Sequence, residues 1–542
     1  ARVLATGLAL ALALGLGWPG TVAADGGAEG AASPAPPPAA VPRPVAAPPP
    51  DPAKLARRHG LRPDQVGFVL RDLDSGRVLA AHNAESAFIP ASVTKLATAA
   101  AALEILGGDH RFETRVRLRG RIEAGRLDGD LILEGGGDPL LGADGLLALC
   151  EELRHAGLRE VSGRFILDDR RYPRQRAIAA TQPPDATYNP GISALALDFN
   201  RIRVLWKPSD ARLRGRTLPA VPSVAVAARR DPDAPRRGWR AESREGTTLW
   251  RAAPDLAARG EDWLPVKQPA AVTGALFRQL CARSGVQLPP PTPAEAGADS
   301  PQTRALPVLA RHAGRPVSGI VKAMLAYSNN LVAELLGLAA AQRLTGQRLS
   351  LAESAEVLRR WWDARLPGEA GGFAVANHSG LDAGGQASPA WFAALLAKVH
   401  DRRYRTPGGG ARGLISLLPA AGWGDGLGAR LRDPASAFNV WAKSGTMAYA
   451  SGLAGYLLGA EGRRYAFAVL VTDAEARAAY DAADDKRAPA RQARRAGWHD
   501  RAKALEAELV RGWARAVSLP CPWTLDRLCE NRHAAQQHKQ TP

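Results

Sequence analysis

Between Arg111 and about Pro307 the chain reads as short strands and turns, whereas the segments on either side carry helical periodicity. At 542 residues the chain exceeds what a single core usually holds, and roughly 150 residues per domain allows three or four units. Arg229 to Arg259, rich in Arg, Asp and Pro, reads as a peripheral lobe or loop (about residues 200–262).

The ends read differently from the middle. Residues 1–24 have the form of a secretory signal: Arg2 is basic, Leu4 to Leu16 is an Ala/Leu run, and Val22-Ala23-Ala24 is a small-residue cleavage site. Export with cleavage is expected, and membrane association no more than peripheral. Residues 25–53 are a linker of Ala, Pro and Gly with polyproline character. Residues 517–542 form a C-terminal tail. Cys521 could pair with Cys529 and Cys150 with Cys281 in an oxidising compartment, or all four could stay thiols.

Composition excludes some classes. Forty-six per cent apolar and 23% charged residues are ordinary globular values. The formal charge of +18 could suit an acidic polymer, but 61 of the 71 basic residues are arginines, spread without blocks. No nucleic-acid partner is expected.

Three short motifs carry chemistry. Ser92-x-x-Lys95 opens an alanine-dominated helix that runs to Gly107-Gly108, with Pro90 at its front. The i, i+3 spacing puts hydroxyl and amine on one face. Burial lowers the lysine's pKa, which makes it a base for the serine. Ser328-Asn329-Asn330, read as Ser-x-Asn, lies on a turn between helical segments. A hydroxyl and an amide two residues apart can face one cleft, or merely cap a helix. Lys443-Ser444-Gly445-Thr446 has a strand context, where a cation beside hydroxyls makes an edge for a carboxylate and Gly445 permits close backbone approach. The chain has ten lysines, and two of them fill these places.

Taken together in this order, the motifs resemble those of the class C low-molecular-mass penicillin-binding proteins, the D-alanyl-D-alanine carboxypeptidase/endopeptidase family. Ser92 and Ser328 lie 236 residues apart, and that family likewise inserts extra domains after the SxxK helix. Asp109-His110-Arg111-Phe112-Glu113-Thr114, Leu127 to Pro139, Tyr188 to Asn200 and Asn377 to Leu381 are similar to it as well. Two features depart: Asn377-His378 stands where the family often has Asp-Gly, and the region beyond Asp473 has no counterpart.

The resemblance implies an α+β fold: a serine β-lactamase/DD-peptidase-like domain (54–110 and 309–516), an antiparallel sheet flanked by helices. Large mainly-β insertion domains (111–308) would follow the SxxK helix. It implies an acyl-enzyme on Ser92, Lys95 as base and Ser328 as proton relay. Asn330, Lys443, Ser444, Gly445 and Thr446 would bind substrate, and the N–H groups of Ser92 and Thr446 would form the oxyanion hole. The substrates implied are peptidoglycan stem peptides and cross-links in the periplasm, with β-lactam antibiotics as inhibitors and no metal or other cofactor. A β-lactamase or esterase on the same site, or a non-catalytic basic wall-binding scaffold, are the alternatives. His110, His312, His378 and the Trp361-Trp362 pair are expected to serve packing.

Overall fold

The computed structural model describes residues 51–209, 212–244, 246–295, 305–369, 371–424 and 426–517. The expected signal, nearly all of the linker and the Cys521–Cys529 pairing lie outside them. The fold is α+β. Its body is built on a five-stranded antiparallel sheet in the order Val440–Met447, Ala450–Leu458, Arg464–Thr472, Val66–Asp72, Val78–His82. The first hairpin therefore pairs with the last strand, closing the body across everything between them.

Alternation along the strands explains the layering. Val69, Ala468 and Leu470 join one core, with the Pro389–Val399 helix and the Lys95–Leu106 helix. Phe68, Leu70, Phe467, Val469 and Val471 join the other, under Trp498, Leu505, Leu509 and Trp513 of the Pro489–Val517 helix. Strands buried on both faces need helices on both faces. In the first core the Lys95–Leu106 helix packs against the Asn330–Thr345 helix, and alanines at 97 and 99–102 let the two lie close.

The helical periodicity of residues 317–344 is two helices, Val317–Tyr327 and Asn330–Thr345. They break at Ser328, whose φ is 53°, and at Asn329, whose side chain caps the second by accepting from Val332 N at 3.1 Å. The capping role thus falls to Asn329, leaving the flanking Ser328 and Asn330 side chains for other work.

The insertion has its own sheet, in which Arg111–Glu123 pairs with Arg126–Glu134 and with Val308–Pro316. That returning strand carries the insertion to Pro316, beyond the boundary expected at residue 308. The lobe consists of two three-stranded sheets, Gly260–Pro265, Arg201–Ser209, Arg212–Leu218 and Trp239–Arg244, Thr247–Ala252, Val224–Val226. Trp239 and Trp250 are fully buried there. Cys150 and Cys281 form a disulfide between the Ala143–His155 and Pro269–Arg283 helices.

Candidate active site

Ser92 sits in a tight turn, Ala91–Thr94, that leads straight into the Lys95–Leu106 helix. Ala91 is held at a φ of 46°, and two glycines explain how other segments crowd this turn. A Cβ on Gly380 would lie 2.0 Å from Ala91 O, and one on Gly445 would lie 2.7 Å from Pro90 O and 3.1 Å from Ser92 N. The glycine of the Lys443 motif thus gives clearance for the chain's own turn, where clearance for a substrate backbone was expected. Both approaches need hydrogen at Cα.

The Lys95 side chain is fully buried, and its Nζ meets three acceptors. These are Ser92 Oγ at 2.9 Å, Asn330 Oδ1 at 2.7 Å and Ser379 O at 2.8 Å. An ammonium fills all three. A neutral amine gives its two hydrogens to Asn330 and Ser379, and its lone pair then points at the Ser92 hydroxyl. Burial, and next the positive charge of Lys443, hold the Lys95 pKa well below the ordinary lysine value; Glu334 opposes them.

Lys443, on the edge strand Val440–Met447, is 2% exposed, and burial pushes its pKa down to about 7. Its Nζ donates to Ser444 O. Ser92, Ser328, Asn330 and Thr446 line one cleft of about 400 Å³. Lys95, Lys443, Ser444 and Gly445 are not part of that lining.

A sequence model of the D-Ala-D-Ala carboxypeptidase 3 (S13) family matches residues 53–492. The chain belongs to that family. It is a serine D-alanyl-D-alanine carboxypeptidase, a hydrolase. The D-alanyl-D-alanine carboxypeptidase of Actinomadura sp. (strain R39) is 29% identical over 440 residues, 73% of this chain and 76% of that protein. The D-alanyl-D-alanine carboxypeptidase DacB of Haemophilus influenzae is 35% identical over 103 residues, 22% of its length. The crystal structure of penicillin binding protein 4 from Haemophilus influenzae superposes with a TM-score of 0.63 at 22% identity, covering 82% of this chain and 96% of the other. Its complex with a β-lactam gives a TM-score of 0.61 at 21% identity, over 80% and 95%. The S13 match passes Asp473, where the resemblance read from sequence stopped, and ends at residue 492.

Three contributors to this candidate site lie outside the motifs. Glu334 is fully buried in the Asn330–Thr345 helix and accepts from His378 N at 2.9 Å and Ser379 N at 3.0 Å. It thereby fixes the turn whose Ser379 carbonyl faces Lys95, and burial raises its own pKa. A lone carboxylate amid Leu331, Val332, Leu335 and Leu336 was the available signal, since a charge in a helix apolar all round needs a partner. Asn377 Oδ1 accepts from Gly380 N and Leu381 N at 3.0 and 3.2 Å, so the departure from Asp-Gly still closes the turn. The third contributor is the insertion itself. Asn330 Nδ2 donates to Tyr188 O at 3.0 Å and Gln182 Nε2 to Leu381 O at 3.2 Å, while Gln182 and Tyr188 line the cleft. His378 is a packing residue, bonded to Ser354 Oγ at 2.8 Å and kept neutral by burial, which lowers its pKa to about 3. Trp362 is buried edge-on against Trp391.

Proposed function

We propose that Ser92 is the acylated nucleophile and Lys95 its base, acting on peptidoglycan stem peptides that end in D-Ala-D-Ala. The observation that carries this reading is the three-way placement of Lys95 Nζ among Ser92 Oγ, Asn330 Oδ1 and Ser379 O. Lys95 takes the Ser92 proton as Oγ bonds to the penultimate D-alanine carbonyl carbon. The resulting oxyanion is received by the N–H groups of Ser92 and Thr446. Ser328 passes a proton to the leaving nitrogen, so that D-alanine, or the amine of a cross-linked strand, departs and an ester on Ser92 remains. Water then hydrolyses the ester.

Lys443, with the hydroxyls of Ser444 and Thr446, holds the carboxylate end, and Gly445 lets their strand reach the nucleophile turn. The strand is at the sheet edge, which suits a peptide laid alongside it. β-Lactams acylate the same oxygen. A wall-degrading peptidase acts outside the cytoplasm, and the reading places this one in the periplasm after signal removal. The test is D-alanine release from a synthetic peptide ending in D-Ala-D-Ala. The wild type releases it and S92A does not; equal release by both contradicts the assignment.

A further inference from the structure

On the lobe's Arg212–Leu218 strand, Arg212, Arg214 and Arg216 are exposed, while Leu213 and Thr217 between them are buried. The neighbouring Arg201–Ser209 strand alternates in the same way, with Ile202, Val204 and Trp206 buried beneath Arg201, Arg203 and Lys207. Register sets Lys207 opposite Arg214 and Leu205 opposite Arg216. Six cations that are spaced out along the sequence thus share the outer face of one sheet. The third strand, Gly260–Pro265, adds Glu261 opposite Leu205 and Trp263 opposite Arg203, whereas Asp262 alternates to the other face.

Other strand arginines of the insertion are answered by acids. Arg115 meets Glu113 and Arg119 meets Asp130, and in the lobe's second sheet Arg240 meets Asp231 and Arg251 meets Glu242. On the first sheet's outer face the one carboxylate among the described residues is Glu261, and Arg203 takes it. Lys207, Arg212, Arg214 and Arg216 have no acidic partner among the described residues. Strand geometry sets such neighbours about 5–7 Å apart, where like charges repel unless an anion lies over them. Trp263, 42% exposed, borders this array with the Arg201 guanidinium 4.9 Å from its ring centre.

Resting on the reading of Ser92 as a wall peptidase nucleophile, we propose that this sheet face is a docking surface for the anionic wall polymer, outside the cleft itself. Charge complementarity carries the assignment. An uncleaved polymer presents a carboxylate at the end of every stem peptide, and an array of guanidinium forks suits repeated carboxylates. Position favours the substrate polymer over a lipid surface. Trp263 also lines a cavity of about 1450 Å³, which shares Tyr188, Lys486 and Arg495 with the Ser92 cleft. A strand lying on the face therefore has an open path towards the nucleophile. The cavity is mixed in charge, with Asp185, Asp255 and Asp485 among its walls, so the attraction comes from the sheet.

The test is sedimentation of the protein with purified peptidoglycan sacculi at low salt. Wild type should bind, and R212Q/R214Q/R216Q should bind about ten- to a hundredfold more weakly, as for three exposed contacts of about two- to fivefold each. High salt, or amidation of the sacculus carboxylates, should bring wild type down to the variant. D-Alanine release from a short soluble peptide ending in D-Ala-D-Ala should be the same in both proteins, because none of the three arginines lines the cleft. Absence of wild-type binding, binding that the substitutions leave unchanged, or a difference that survives amidation overturns the proposal. So does a variant that keeps its hold on sacculi and loses only phosphatidylglycerol vesicles, which would make the face a lipid contact. A wild type that releases no D-alanine from the short peptide would defeat the Ser92 reading instead, and sedimentation is independent of that result.

Discussion

The buried ion pairs of the insertion and the cationic centre of the candidate active site hold charge in opposite ways. In the insertion, Asp169 is bonded by Arg174, Arg117 pairs with Glu134, and Asp185 is held by Arg487 from the body. In the body, Lys95 and Lys443 are both buried and repel one another, with Glu334 as the carboxylate whose charge acts on Lys95. Paired charges serve the fold. Two desolvated cations side by side work against it, and such arrangements are typical of sites that need a shifted pKa. The comparison separates residues held for stability from residues held for chemistry, although the two regions meet at Asn330 and Tyr188.

The sharpest way to break that distinction is Lys95→Met, which keeps the volume and removes the amine. Acylation should fall by about 10²–10⁴-fold, as for loss of a general base. The melting temperature should change little, because removal of a buried cation offsets the loss of the donor to Asn330 Oδ1 and Ser379 O. A large fall in melting temperature would make Lys95 a structural residue.

Next in size is the staple of the insertion. Changing both Cys150 and Cys281 to Ser opens a bridge across 131 residues and should cost about 2–5 kcal/mol of insertion stability. Below that earlier melting step, Ser92 should still be labelled by penicillin. Simultaneous loss of both regions in one calorimetric transition would erase the comparison.

Glu334→Gln should cost about 1–3 kcal/mol, since the two N–H groups it serves lose a charged acceptor. Glu334 raises the Lys95 pKa, so its neutralisation should move the rising limb of the pH–rate profile to lower pH. A limb that stays in place would limit Glu334 to packing.

The smallest effect is one of pH alone. Lys443 must be charged to hold a carboxylate, and with a pKa of about 7 it loses its proton as the pH rises through that value. A D-Ala-D-Ala peptide should therefore show kcat/KM falling above about pH 7, and the corresponding peptide amide should lack that limb. Identical profiles would remove Lys443 from carboxylate binding.

The motifs were legible because their spacing is local: three residues from Ser92 to Lys95, two from Ser328 to Asn330, and an unbroken run from Lys443 to Thr446. Their convergence rested on the family resemblance, since no periodicity reports which distant segments meet. What stayed hidden is long-range or carried by backbone. The Ser379 carbonyl has no side-chain signature, and Tyr188 reaches the cleft only because the insertion folds back over it. Gly445 was legible as a close approach, but sequence could not say to what. The return strand Val308–Pro316 escaped because its exposure alternates irregularly across two shifts of register.

The central claim is that Ser92 is the oxygen activated by Lys95. The direct measurement is mass spectrometry of the mature protein after brief exposure to benzylpenicillin, followed by peptide mapping. One adduct per chain on the peptide containing Ser92, absent in S92A and slow to form in the Lys95→Met variant, is the predicted result. An adduct on another residue, or one that forms equally fast without the Lys95 amine, would contradict it.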